Sequence, residues 1–331
     1  MTEFAHDIFR TDGEEAFAEA ALETFRFQAR RCDVYREYIE RIGVRAEEVD
    51  DWRAIPMLPI GFFKWREVYC GNRTPEKVFT SSNTGGTDAS RHAMQSLALY
   101  EEAFTRAFAM FYGRPSELSL YCLLPNYLER EGSSLVYMCD RLIARCGGGG
   151  FYLNQYRTLL DDMARDPRPK ILLGVSYALW ELAERCPVPL HDTIVMETGG
   201  MKGRREELPK EAFHRILCDA FGVSAIHSEY GMAELTSQAY SDGRGVFRCP
   251  PWMRVMARDV NDPFDRLGSG VRGGLDIIDL ANRYSCAFIS TQDTGRVADD
   301  GSFTVEGRID RSDIRGCNLL IQNSEFKIQN Y

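Results

Sequence analysis

Paired cysteines, clustered histidines and a surplus of positive charge are all missing from this chain, and each absence excludes a class of protein. The ten cysteines (32, 70, 122, 139, 146, 186, 218, 249, 286 and 317) form no Cys-x-x-Cys pair and stand near no cluster of the five histidines. That spacing argues against structural zinc and for reduced thiols that pack as small apolar side chains. Acidic residues outnumber basic ones 49 to 40, a net charge of −9, so there is no general field to gather nucleic acid or an anionic membrane. Met1-Thr2-Glu3-Phe4 lacks the basic and apolar regions of a signal peptide. The longest apolar run, Ile171 to Trp180, is too short to cross a bilayer and contains Gly174 and Ser176. The expectation is a cytoplasmic globular protein with no nucleic-acid or membrane partner. Its 331 residues, 44% of them hydrophobic, suffice for one large or two medium domains.

What the chain does have is a hydroxyl-rich, glycine-containing stretch at 79–92, FTSSNTGGTDASRH. Ser81, Ser82, Thr84, Gly85, Gly86 and Thr87 follow the apolar Val78-Phe79. Glycine lets the backbone turn successive N–H groups toward one point, and hydroxyls add donors that can follow the oxygens of a phosphate. The Gly-Lys-Ser/Thr ending of a Walker A loop is absent. Taken alone, the segment reads better as an ordinary polar turn.

Along the chain, residues 1–48 read as helix, with Asp12 and Glu15 as a capping pair and Phe17, Ala21 and Phe25 on one face. Ala93 to Phe111 has helical periodicity, which places the hydroxyl loop between a strand and a helix whose N-terminal amides face the bound anion. Leu118 to Leu124 reads as a strand, Ser133 to Ala144 as a helix, and Gly147 to Gly150 as a connecting loop. From Lys170 the pattern alternates: strand to Val175, helix to Cys186, strand 193–196, helix 211–221, strand 224–227. Strands alternating with helices across short links make a parallel sheet covered by helices. Ligands of such sheets sit at the carboxyl ends of strands, where Glu197-Thr198-Gly199-Gly200 and Ser228-Glu229-Tyr230-Gly231 fall. From Pro250, short β-type segments separated by Gly and Asp read as a small β-rich subdomain.

The hydroxyl/glycine loop is followed by Tyr230-Gly231-Met232-Ala233-Glu234, then by Asp293 ahead of Gly307-Arg308-Ile309-Asp310. In that order and at those wide spacings, over roughly residues 50–320, the chain resembles the adenylate-forming enzymes, which include acyl-CoA synthetases, luciferases and phenylacetate-CoA ligases. Leu58-Pro59-Ile60-Gly61-Phe62-Phe63-Lys64 and Gly199-Gly200-Met201-Lys202 look most like the LuxE-type acyl-protein synthetases. The resemblance implies an α/β fold of helix-covered, largely parallel sheets, as in the N-terminal domain of those enzymes, and a small β-rich subdomain. The large C-terminal domain, with its catalytic lysine, is expected to be missing, since only 21 residues follow Asp310 and Lys327 is the one lysine beyond Lys210. The expected divisions are a helical segment at 1–55, an α/β core at 56–250, the β-rich subdomain at 251–310 and a tail at 311–331.

The implied chemistry is ATP- and Mg²⁺-dependent activation of a carboxylic acid, with a fatty acid expected and aromatic and small acids also open, as its acyl-adenylate, with transfer to a thiol. Ser81–Thr87 would hold the pyrophosphate end, and Glu234 the Mg²⁺. Thr198, Gly199, Gly200, Ser228, Glu229, Tyr230 and Gly231 would bind the nucleotide, with Tyr230 stacked on the adenine beside the Gly199-Gly200 turn. Asp293 would accept from the ribose hydroxyls, with Arg308 near the ribose or phosphate. Lys202, or in second place Lys64, would offset charge on the α-phosphate, and Asn126 and Tyr127 would lie near the acyl group. Cys317, flanked by Arg311 and Arg315, matches the acyl-accepting cysteine of LuxE-type enzymes. The same residue type also docks a tail as a small apolar side chain. The acceptor beyond it is a reductase-like partner protein or CoA. Two alternatives stand beside this reading: a CoA ligase of the phenylacetate type, and a nucleotide-binding interaction protein without turnover.

Overall fold

The computed structural model describes residues 4–81, 89–124, 132–199 and 208–309. Its larger sheet has eight strands. Five are parallel and lie in the order Gly148–Phe151, Ser119–Leu123, Lys170–Val175, Thr193–Thr198, Ile226–Tyr230. Ala239–Ser241, Val246–Arg248 and Phe303–Thr304 extend it with antiparallel pairings. Ser119–Leu123 and Lys170–Val175 are buried at every position, as continuous apolar runs are when helices cover both faces of a sheet. The crossovers are the helices Ser134–Ile143, Tyr156–Arg165, Ser176–Arg185 and Lys210–Phe221. The mixed α/β architecture with parallel strands therefore agrees with the expectation from sequence. Among the described residues no helix is long and apolar enough to cross a membrane.

A second sheet pairs Met253–Arg258, Arg272–Asp279 and Phe288–Arg296 antiparallel, with Gly307–Arg308 on one edge. Leu58–Pro59 joins it from far back in the chain, parallel to Ile289–Ser290. The helices Glu14–Arg31 and Asp33–Arg41 lie over it. Phe25 and Tyr35 pack on Phe288 with ring centroids 5.9 and 6.1 Å apart. Gln28 donates to the carbonyls of Asn282 and Arg283 and accepts from the Ala287 amide at 2.9 Å. Phe17, Ala21 and Phe25 are fully buried on one helix face, as their spacing predicts.

Three local expectations change. The residue before the first long helix is Gly13 at φ 93°, with no side-chain cap; a glycine that turns the chain there displaces Asp12. The hydroxyl loop joins two antiparallel strands, Lys77–Thr80 and Arg91–Met94. The following helix starts only at Leu97, where Ser96 and Glu76 accept from its first amides, so those amides are already satisfied. The glycine run is an edge strand rather than a loop, because pairing with Ser119–Cys122 brings backbone onto backbone. A Cβ at Gly149, φ 110°, would lie 1.9 Å from the Leu120 carbonyl oxygen.

Candidate functional site

The carboxyl ends of Thr193–Thr198 and Ile226–Tyr230 lie side by side, with Glu197 opposite Ser228 and Thr198 opposite Glu229. Because side chains alternate along a strand, these two pairs face opposite sides of the sheet. On one side the buried Glu197 carboxylate accepts from Ser176 Oγ at 3.0 Å and Ser228 Oγ at 2.7 Å. Lys210 Nζ stands 3.0 Å from it, and His214 Nε2 3.6 Å, an ion-pair rather than a hydrogen-bond distance. Burial alone would raise this carboxyl, but His214, Lys210 and Ser228 outweigh it and bring it down to about 2. Ser176 Oγ also reaches the Gly199 carbonyl at 2.9 Å.

On the other side the Thr198 hydroxyl donates to the Glu229 carboxylate. Burial pushes Glu229 up to about 7; the Thr198 bond opposes this and the charge of Glu197 adds to it. A Cβ at Gly231 would meet Glu229 Oε1 at 2.4 Å, so any other residue there would displace the Glu229 carboxylate.

Tyr230 ends the strand and turns back toward the second sheet. Its hydroxyl donates to Asp293 Oδ2 at 2.8 Å, and its ring meets Phe247 and Phe303 edge-on at 5.8 and 5.5 Å. Burial, followed by the Asp293 charge, raises the phenol well above its usual range. Asp293 is paired in register with Arg308, whose Nε stands 3.2 Å from Oδ1. Both Asp293 oxygens are thus engaged, while the Arg308 side chain is largely exposed.

The hydroxyl loop meets this assembly at its stem. Ser81 donates its amide to the Ser90 carbonyl at 3.1 Å, and Ser90 returns its amide to Ser81 Oγ at 3.0 Å. Ser90 also hydrogen-bonds the buried Glu234 side chain. Burial raises the Glu234 carboxyl, and the Ser90 hydroxyl, its own backbone amide, Lys64 and Arg308 pull it back only in part. Stretches near residues 64, 90, 234 and 308 therefore converge around one carboxylate.

Among the described residues no group of three or more His, Cys, Asp and Glu could hold a metal. A lone Glu234 beside hydroxyls still fits Mg²⁺, which keeps several waters and takes one or two carboxylates together with substrate phosphates.

Of the residues expected from sequence, Ser81, Thr198, Gly199, Ser228, Glu229, Tyr230, Gly231 and Glu234 lie at these strand ends or at the adjoining stem, and Asp293 and Arg308 of the second sheet meet them through Tyr230. Ser82, Thr84, Gly85, Gly86, Thr87, Asn126, Tyr127, Gly200, Lys202 and Cys317 lie outside the described residues. Sequence reasoning gave no role to Glu197, Ser90, His92 or Asn282. The adjacent Ser90-Arg91-His92 and the Glu197 at a strand end were the available signals.

The fold is one shared with ligases captured with ATP or with an AMP-linked acid. The chain is similar to 2-hydroxyisobutyryl-CoA ligase in complex with 2-HIB-AMP and CoA, with TM-score 0.70, 14% identity, and coverage of 90% of this chain and 68% of the ligase. It is also similar to ATP-bound MatB from Rhodopseudomonas palustris, with TM-score 0.53, 16% identity and coverage of 70% of this chain. The match spans about half of MatB, 47% of its length. At these identities the likeness is one of fold. No protein-family profile matches the sequence, and no curated protein is similar to it.

Proposed function

We propose that this protein activates a carboxylic acid with ATP as an acyl-adenylate and passes the acyl group to a thiol. The observation that carries this reading is that Tyr230, at the carboxyl end of a parallel strand, donates to Asp293 beside Arg308, while Glu234 bonds Ser90 at the stem of the hydroxyl loop and feels the charge of Arg308. A nucleotide seated there would have its ribose toward Asp293 and Arg308 and its phosphates toward the hydroxyl loop, with Lys64 and Arg308 offsetting their charge. Mg²⁺ held by Glu234 would supply neutralisation of the phosphate oxygens. The carboxylate oxygen of the acid bonds to the α-phosphorus as pyrophosphate leaves. In the second step a thiolate, its proton given up to solvent, bonds to the acyl carbon as AMP leaves.

ATP–pyrophosphate exchange across a panel of fatty, aromatic and small hydroxy acids tests the first step. Nucleotide binding with no exchange for any acid would replace the enzyme with a nucleotide-binding interaction protein. For the second step the proposed acceptor is Cys317. Cys317→Ser should abolish covalent labelling by radiolabelled acid while leaving pyrophosphate release intact, and undiminished labelling would remove that role. The likeness to a ligase captured with CoA favours a second acceptor. Pyrophosphate release that depends on CoA, with a CoA thioester as product, would select it.

A further inference from the structure

We infer that His92 is a positioning residue that, with Asn282, clamps the backbone at Ala233-Glu234 against the strand leaving the hydroxyl loop, and so sets where the Glu234 carboxylate stands. This rests on the reading of Glu234 as the metal-side carboxylate of the nucleotide site. His92 is 1% exposed in the strand Arg91–Met94, two residues after Ser90. Its Nδ1 lies 2.8 Å from the Ala233 carbonyl oxygen and its Nε2 2.8 Å from Asn282 Oδ1.

The Asn282 amide has one orientation, because its Nδ2 donates to the carbonyls of Glu234 and Cys286, both at 2.9 Å, and its Oδ1 accepts from Thr236 Oγ1 at 3.3 Å. His92 Nε2 therefore carries a proton and donates to Oδ1, and because a carbonyl only accepts, Nδ1 can donate to Ala233 only in the imidazolium, which burial disfavours and these two bonds favour. In that form the carbonyls of residues 233 and 234 are held by two side chains that touch each other. Phe63 closes the ring's other side edge-on at 5.8 Å, and Phe63 precedes Lys64. Ser90, just before the strand, reaches the Glu234 side chain, while His92 within it reaches the carbonyl of the preceding Ala233. His92 and Asn282 are 190 residues apart in sequence and both buried, an arrangement that costs free energy unless their hydrogen bonds are made.

Groups that orient a metal-side ligand typically change metal affinity about 10- to 100-fold when removed. The test uses the full chain, Mn²⁺ as the metal and α,β-methylene-ATP as a nucleotide that cannot react. His92→Phe keeps a ring against Phe63 and removes both polar contacts; His92→Gln restores a donor. The expected result is Mn²⁺ affinity, read by electron paramagnetic resonance in the presence of the nucleotide, about tenfold weaker in His92→Phe and recovered to within about threefold in His92→Gln. Affinity for the metal-free nucleotide should stay unchanged, which a general loss of folding would not allow. Equal loss of both affinities, or Mn²⁺ affinity within twofold of the parent, overturns the inference. Hydrogen exchange of the amides of residues 232–237 should also accelerate in His92→Phe. If the parent protein binds no nucleotide, the proposed function fails while faster exchange still upholds the clamp. Unchanged exchange sinks the clamp whatever the nucleotide does.

Discussion

Glu229→Gln should make the protein more stable at alkaline pH and leave it unchanged in acid. The carboxyl is fully buried, and its pKa moves from an ordinary 4.5 up to about 7, first by burial and further by Glu197, against the Thr198 hydrogen bond. Below the unfolded value both states are protonated and the group has no effect on stability. Between 4.5 and 7 the unfolded chain releases the proton that the folded chain still holds, so stability falls as pH rises and levels off above 7. At ~1.4 kcal/mol per pKa unit the whole fall is about 3 kcal/mol. Glutamine keeps an oxygen for the Thr198 hydroxyl and does not titrate. Urea midpoints for the parent and the variant at pH 5, 6, 7 and 8 read the effect directly, since the slope of stability against urea is common to both. The two should differ by only about 1 kcal/mol at pH 5 and separate by about 3 kcal/mol at pH 8, the variant higher. Parallel curves over this range would refute the assignment of a protonated, buried Glu229.

Glu197→Gln should behave in the opposite sense. The folded carboxyl sits near 2, with burial outweighed by His214, Lys210 and Ser228, so its contribution is present above the unfolded 4.5 and lost as pH falls toward 2; the variant should lose about 3 kcal/mol at pH 7 by urea unfolding, and full stability at pH 7 would contradict this. Asp276 is fully buried between Arg266 and Arg258, the latter 2.9 Å away through Nε and held in turn by Ser290 and Thr291. Asp276→Asn leaves two guanidinium groups facing each other without a counter-charge and should lower unfolding free energy by about 3 kcal/mol; a loss under about 1 kcal/mol would mean that solvent reaches the pair.

The parallel core was legible because its signal is local. Strands such as Lys170–Val175 are continuous apolar runs between helical patterns, and each crossover is short. Tyr230, Asp293 and Arg308 were legible as a set only through the spacing of motifs, and their contact joins segments 63 and 15 residues apart. What could not be read is non-local. The strand Arg91–Met94 carries the same apolar spacing as the helix after it, and only pairing with Lys77–Thr80 tells them apart. Leu58–Pro59 becomes a strand because Ile289 and Ser290 lie beside it. The glycines at 148–150 lack the side chains that mark a strand, and their role is set by the approach of Leu120. The clamp on Glu234 was hidden for the same reason, as nothing near Asn282 in sequence says that an imidazole will reach it.

Two acidic residues one register step apart, Glu197 and Glu229, are driven in opposite directions by the faces on which they lie. One looks toward Lys210, His214 and two serines, and keeps its charge. The other looks toward a threonine and buried tyrosines, among them Tyr100, Tyr112 and Tyr240, all of whose phenols it pushes further up, and it holds its proton near neutrality. Had Glu229 been ionised as well, a polyanionic ligand approaching these strand ends would meet an uncompensated charge at close range in a poorly screening interior. Among the described residues, Glu197 is paired with Lys210 and Asp293 with Arg308, and the buried Glu234 feels the charges of Lys64 and Arg308. A divalent cation beside Glu234 would add the positive charge that phosphates require.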